Sequence, residues 1–199
     1  MKTKPLIISF LFIVLNFYLN AQTQNNLDHI NILIDSSIAK TDSLLGGKQT
    51  INLSVTTTQS LEILKPKILQ AFIEHGYLLK TSDAESGISV NYNLTSANVE
   101  YKNSYSDGFF GDIALERQIT VIGSFTIIKL NHIIQPIGFT ETRMDTIKLD
   151  EIANLENRSI PFTQGQIPSQ PLLSTFWEPI VVVGTLIVTV ILLFTVRSK

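Results

Sequence analysis

Proton transfer and metal ligation near neutral pH draw first on histidine, and this 199-residue chain has three: His29, His75 and His132. They lie far apart, and none is followed four residues on by a His, Asp or Glu, so no helical metal pair is spelled out. His75 follows Glu74 at the end of an apolar stripe, where a cation would suit the helix dipole and needs no catalytic role. Gly46-Gly47-Lys48-Gln49-Thr50 brings a phosphate-binding loop to mind. It fails the pattern, because Asp42 stands where the first glycine belongs and Gln49 where the Ser or Thr belongs. A helix stop explains the glycines. Gly123-Ser124 lies inside a strand pattern and forms no GxSxG elbow. The acidic residues are scattered, and no spacing singles out a catalytic pair. With no cysteine there is no disulfide, no thiolate nucleophile or metal site, and no lipid-bearing cysteine of a bacterial lipoprotein. The sequence therefore indicates no metal, no cofactor and no catalytic residue. A formal net charge of −2 also argues against a dedicated nucleic-acid binder, which needs a basic face to displace counterions.

The segment from Tyr101 to Asp112 is the most informative. It should join two long antiparallel strands as a loop of about ten residues, with turn dipeptides Asp107-Gly108 and Gly111-Asp112. Phe109 and Phe110 stand between those turns, where polar residues are the norm. One reading makes Tyr101, Tyr105, Phe109 and Phe110 a partner-binding surface. The other folds the two phenylalanines back onto the core or into longer strands.

The elements that must position this loop are legible as periodicities. Leu27, Ile30, Ile34, Ile38 and Leu45 recur at helical spacing, and Gly46-Gly47 ends the run. Ile51 to Val55 alternates as a half-buried strand does. Leu61, Leu64, Ile68, Phe72 and Ile73 form a second helical stripe, with Gly76 placed as its C′ residue. Pro66 must kink that helix or mark its true start. Tyr77 to Thr81 is a short strand. Ile88, Val90, Tyr92 and Leu94 alternate, then Val99 and Tyr101 after a bulge near Ser96. Leu115 to Leu130 is another long strand, and Ile133 to Met144 a fifth, broken or edged by Pro136 and Gly138. Leu149 to Leu155 reads as a short helix.

The two ends are apolar. Lys2 and Lys4 precede the run Leu6 to Leu19, and Leu19-Asn20-Ala21 offers a small-residue cleavage site, so residues 1–21 read as a secretory signal peptide. The competing reading is a retained N-terminal anchor. At the other end, Ile180 to Val196 carries no charge and is just long enough for a bilayer span. Phe176 and Trp177 before it suit the membrane interface, and Arg197 and Lys199 after it suit a cytoplasmic terminus. The expected organisation is thus signal 1–21, a periplasmic domain 22–156, a Pro-containing stalk 157–178, a transmembrane helix 179–196 and a cytoplasmic tail 197–199. The stalk holds Pro161, Pro168 and Pro171. Either it is extended, or Ile160, Phe162 and Ile167 pack back along the domain. The exported body, residues 22–170, carries 11 Lys+Arg against 16 Asp+Glu, which favours solubility over adhesion to anionic lipid.

The fold class expected is α+β: one mainly antiparallel sheet of four to five strands, two helices on one face, and a C-terminal transmembrane helix. The run FIEHGYLLKTSDAESGISVNY, within Ile68 to Tyr92, resembles the small periplasmic domains of the CsgG, LpoB and TolB N-terminal type, in which a helix ending in Gly-Tyr leads through a short strand and an acidic turn to a long strand. The tail EPIVVVGTLIVTVILLFTVRSK resembles the ends of uncharacterised exported proteins of Bacteroidota-like bacteria. These resemblances imply envelope assembly or scaffolding rather than catalysis. The expectation is a non-enzymatic, single-pass protein of the inner membrane, with its body in the periplasm, positioning an envelope protein partner. The alternatives are a ligand-binding sensory domain and an enzyme acting on glycans or lipids.

Overall fold

The computed structural model describes residues 23–80, 87–106, 112–129, 132–133, 136–168 and 172–197. The segment 1–21 expected to be a signal peptide, Phe109, Phe110 and Lys199 lie outside them, as do the side chains of Phe176, Trp177 and Arg197.

Helix α1 spans Asn26–Leu45. The Asn25 side chain accepts from the Asp28 N–H at 2.8 Å and caps its first turn. Gly46, at φ 78°, closes the other end in the left-handed conformation that glycine adopts without Cβ strain. Strand β1 (Thr50–Thr57) follows, then a 3₁₀ turn (Gln59–Leu64) and helix α2 (Lys65–Glu74). Pro66 sits in the first turn of α2, where its missing N–H has no partner to lose, so it marks a start and not a kink. The end of α2 is a full Schellman motif. Gly76 N–H bonds to Ile73 O at 2.8 Å, Tyr77 N–H bonds to Phe72 O at 3.1 Å, and the Phe72 and Tyr77 rings meet at 5.8 Å.

Strands β2 (Leu78–Lys80), β3 (Ile88–Ser106), β4 (Ile113–Lys129), β5 (His132–Ile133) and β6 (Ile137–Lys148) complete one sheet. Its order is β2-β1-β3-β4-β5, with β6 also paired to β4. β1 runs parallel to both neighbours, Ile51 opposite Leu79 and Val55 opposite Tyr92, whereas β3-β4, β4-β5 and β4-β6 are antiparallel. The sheet is therefore mixed: the β3-β4, β4-β5 and β4-β6 pairings keep it mainly antiparallel, as expected, while β1 adds two parallel pairings and the strands number six against the four to five expected. Alternation marks a strand but is blind to the direction of its neighbour. The bulge near Ser96 is present, as a register shift between Leu94 and Ser96.

Both helices lie on one face of the sheet, as expected. Between them and the strands, Ile34, Ile38, Ile68, Phe72, Val90, Tyr92, Val121 and Phe125 are fully or almost fully buried. The Phe72 and Tyr92 rings meet edge-on at 5.9 Å, and Tyr92 stacks obliquely on Phe139 at 5.4 Å. Among the described residues this core fills the space between the helices and the sheet.

After β6 come a 3₁₀ turn (Leu149–Glu151) and a one-turn helix α3 (Ile152–Leu155), where a short helix was expected. The stalk does not begin at 157. Ile160 and Phe162 are buried, Thr163 is completely so, and Gly165 runs so close to Val99 and the Tyr101 ring that a Cβ there would stand 2.9 Å from the ring. Residues 157–165 form a strap across the domain. This is the packed alternative for Ile160 and Phe162, made possible because Pro161 opens a short 3₁₀ turn that tucks Phe162 inward, whereas Ile167 is 49% exposed.

Helix α4 (Leu172–Arg197) is a single helix of 26 residues. Among the described residues no helix is long and apolar enough to cross a membrane. A helix thus stands where the transmembrane segment 179–196 was expected, and a bilayer span is not shown by it.

Candidate functional site

The parity of β4 places Leu115, Ile119 and Val121 toward the helices, and Arg117 falls on the same side. It is fully buried, and its guanidinium is satisfied on every donor. Nε donates to Asp145 Oδ1 at 2.8 Å, and Nη2 donates to Asp145 Oδ2 and lies 2.9 Å from His29 Nε2. Nη1 donates to Gln24 O at 3.0 Å and to Asn26 Oδ1 at 2.8 Å. The bidentate fork to Asp145 follows from register, since Arg117 and Asp145 are directly opposite on β4 and β6. Asn26 is satisfied in turn: its amide donates to Tyr101 Oη at 3.0 Å and to Thr163 O at 2.8 Å.

The electrostatics follow from that geometry. Burial, then the Arg117 and Arg143 charges, hold His29 below its ordinary 6.5, against weaker opposing pulls from Asp145 and Asp28. Burial works to raise Asp145, but the hydrogen bonds and charge of Arg117, helped by His29 and Arg143, outweigh it and hold the carboxyl below its usual 3.8. Burial pushes the Tyr101 hydroxyl up to about 12. A buried, saturated arginine of this kind ties elements together and has no donor left for a substrate.

A second cluster joins α1 to the end of α2. His75 Nδ1 faces Asp42 at 3.1 Å and its Nε2 faces Asp35 at 3.3 Å, while Tyr77 donates to the other Asp42 oxygen at 2.5 Å. Lys48 and Glu74 complete a shallow cleft around them. Both ring nitrogens are occupied by carboxylates, so His75 acts as a staple between helices. Among the described residues no group of three or more His, Asp or Glu is arranged to hold a metal.

The sheet's other face is open. Ser54 and Thr56 of β1, Asn91 and Asn93 of β3, and Thr140 and Thr142 of β6 are exposed there, with Ser124 and Thr126 of β4 half-buried between them. Its charged residues gather toward one end, where Lys102 pairs with Glu100 at 2.8 Å and Asn103 donates to Glu116 at 2.7 Å. The rest is neutral, amide and hydroxyl groups interrupted by the exposed Ile122 and Met144.

Of the four residues expected to bind a partner, the structure describes Tyr101 and Tyr105 and does not bring them together. Tyr101 is not on the surface. It lies within β3, 5% exposed, with its hydroxyl on Asn26 and its ring under Gly165. The expected ten-residue loop is shorter because β3 continues to Ser106 and β4 begins at Ile113. Tyr105 is exposed at that end of the sheet, its hydroxyl donating to Thr146 at 3.4 Å. Phe109 and Phe110 lie outside the described residues. Sequence reasoning missed Asn26, His29, Arg117 and Asp145. The available signal was parity: Arg117 among Leu115, Ile119 and Val121, and Asp145 between Phe139 and Ile147, are charges at inward positions.

An α+β domain with helices on one face of a mixed sheet is thus the class defined by the fold. No protein-family model matches the chain. No curated protein matches it either. Among solved structures, the rare lipoprotein B from Shewanella oneidensis is similar over 51% of this chain and 69% of its own, with 13% identity and a TM-score of 0.33. A neuraminyllactose-binding hemagglutinin homolog from Helicobacter pylori is similar over 50% and 66%, with 9% identity and a TM-score of 0.30. Likenesses of this size assign the chain to neither protein's family.

Proposed function

We propose that the chain is a non-enzymatic binding domain of the bacterial envelope, held at the inner membrane by α4, with its body in the periplasm, and that it positions a protein partner. The observation that carries this reading is the state of residues 180–195. Their apolar side chains stand between 44% exposed at Val181 and 76% at Phe194, on a helix with no described neighbour to cover them. In water such a surface would drive aggregation. In lipid it is at home. Thr185, Thr189 and Thr195 fit the same solvent, because each hydroxyl donates to the carbonyl four residues back at 2.7 or 2.8 Å and leaves no polar group to the acyl chains. Arg197 and Lys199 set the C-terminus in the cytoplasm, with Phe176 and Trp177 at the opposite interface.

The absence of catalysis in this reading is supported by how the two histidines with described side chains are used. His29 is walled in beside Arg117, and His75 is held between two carboxylates. Partner contact is assigned to the Tyr105 end of the sheet with Phe109 and Phe110. The test is protease treatment of spheroplasts carrying a tag after Lys199, followed by crosslinking. Cleavage of the body with protection of the tag supports the reading. Protection of the body overturns it. Replacing Phe109 and Phe110 by Ser should lower partner capture with an unchanged melting temperature, whereas a collapse of the melting temperature would put those rings in the core.

A further inference from the structure

We infer that His29, Arg117 and Asn26 form a proton-operated latch, which fastens the strap 157–165 to the domain when His29 is neutral and loosens it when His29 is protonated. The argument begins with a donor count. A guanidinium has five N–H groups and no acceptor. Arg117 Nη2 lies 2.9 Å from His29 Nε2, so that nitrogen must present its lone pair and the ring proton must sit on Nδ1. The tautomer is thereby fixed by its neighbour. His29 is 3% exposed, and its Nδ1 has no hydrogen-bond partner among the described residues. A buried donor left in this way makes the neutral state tense and gives the ring no second anchor.

Adding a proton to Nε2 sets two donors and two positive charges against each other at that 2.9 Å contact. Asp145 Oδ2, 3.7 Å from Nε2, is the nearby carboxylate that can receive the new N–H. That oxygen already takes Nη2 of Arg117. The imidazolium therefore competes with the arginine for one acceptor, and the arginine is displaced. Its Nη1 carries the consequence onward, because it holds Asn26 Oδ1, and the Asn26 amide holds Thr163 O in the strap and Tyr101 Oη in β3. A chain of three side chains thus joins the proton site to the segment that leads toward α4.

The surroundings reinforce the direction. Arg143 and Asp145 face His29 from β6, Arg117 from β4 and Asp28 from its own helix. On the far side of Asn26, Glu156 of the strap region lies close enough to Tyr101 to act on it and accepts the Gly165 N–H at 2.8 Å. A proton on His29 thus meets two nearby cations, with Asp145 already engaged.

The test uses the full chain in detergent micelles and reads hydrogen exchange of the strap amides at about pH 7.5 and about pH 4.5, the lower value set beneath the usual histidine range because burial beside Arg117 holds His29 below it, after correction for intrinsic exchange. Thr163 and Gln164, bonded to Ile160 O and Pro161 O, are suitable reporters. Protection should fall by at least about tenfold in acid, one decade of equilibrium constant. It should not fall in His29→Gln, whose amide oxygen takes the place of Nε2 as an acceptor that does not titrate. Equal protection at both pH values, or an equal loss in His29→Gln, overturns the latch. If that variant does not fold, nitrogen-resolved NMR of the wild-type imidazole decides: a proton on Nδ1 near pH 7.5 upholds the geometry, and a proton on Nε2 overturns it.

Discussion

Gly123 of β4 lies directly opposite Phe139 of β6, and the phenylalanine ring occupies the space a side chain would need. A Cβ on residue 123 would fall 2.5 Å from Phe139 Cζ and 2.4 Å from Asn93 O. The same glycine pairs with Leu94 at the edge of the β3 bulge. Its small size lets the ring cross the strand and reach Tyr92 and Phe125. Gly123→Ala should therefore overpack this point and cost about 1–3 kcal/mol, seen as a lower midpoint in urea with an unchanged slope. A wild-type midpoint would show that the strands can part here freely.

Arg117 and Asp145 supply a second prediction. Arg117→Met removes the fork and leaves Asp145, Asn26 Oδ1 and Gln24 O without their donor. The loss should be about 3 kcal/mol or more. Adding Asp145→Leu to that variant should restore part of it, since two apolar groups leave no stranded charge. Urea unfolding of both variants checks the order. A double variant no better than the single one would mean that the packing, and not the charge, is at fault.

The pH dependence has a definite sign. His29 is held below its ordinary 6.5, so the unfolded chain takes up a proton first and stability falls as pH drops below that value. Asp145 is held below 3.8, so its contribution is present above that pH and is lost as pH falls further. Both terms make acid unfavourable. Unfolding free energies measured from neutrality downward should decline in two stages, and His29→Gln should remove the upper stage while keeping the lower one. A flat profile between neutrality and the carboxylate range would contradict the assigned environment of His29.

The terminal helix offers a third kind of test. A cation in the middle of a spanning helix costs about 2.5–3.5 kcal/mol of insertion free energy, so Ile187→Arg should release a measurable share of the protein from membranes at alkaline pH. Ser at the same place should not. Equal retention of the wild type and the arginine variant would remove the support for a bilayer anchor.

How much of this was legible in the sequence depends on the kind of information each feature needs. The stop at Gly46, the helix end at Gly76 and the bulge near Ser96 are local, and each is written in residues that have few other uses, whereas Pro66 left a kink and a start equally open. The parallel pairing of β1 with β2 and β3 is not local, since alternation looks the same in either direction. Tyr101 alternates with Val99 as an inward residue should, but turn dipeptides further on drew it into the loop. The Arg117 network was hidden because its members are spread from Asn26 to Thr163, and no spacing along the chain relates them. The burial of Ile160 and Phe162 needed the surface on which they land.

One consequence follows from the bond between Asn26 and Thr163, which are 137 residues apart. The start of α1 is closed by a residue of the strap, which precedes α4 in the chain. A chain emerging amino end first can form β1, α2 and the β3-β4 hairpin as they appear, but it cannot satisfy Asn26 or cover the Tyr101 ring until the strap has also emerged. Closure is a long-range event and therefore a late one. Completion of the body is thus timed to the arrival of the strap, immediately ahead of α4, so that an unfinished domain and a halted terminal helix would be two signs of the same interruption.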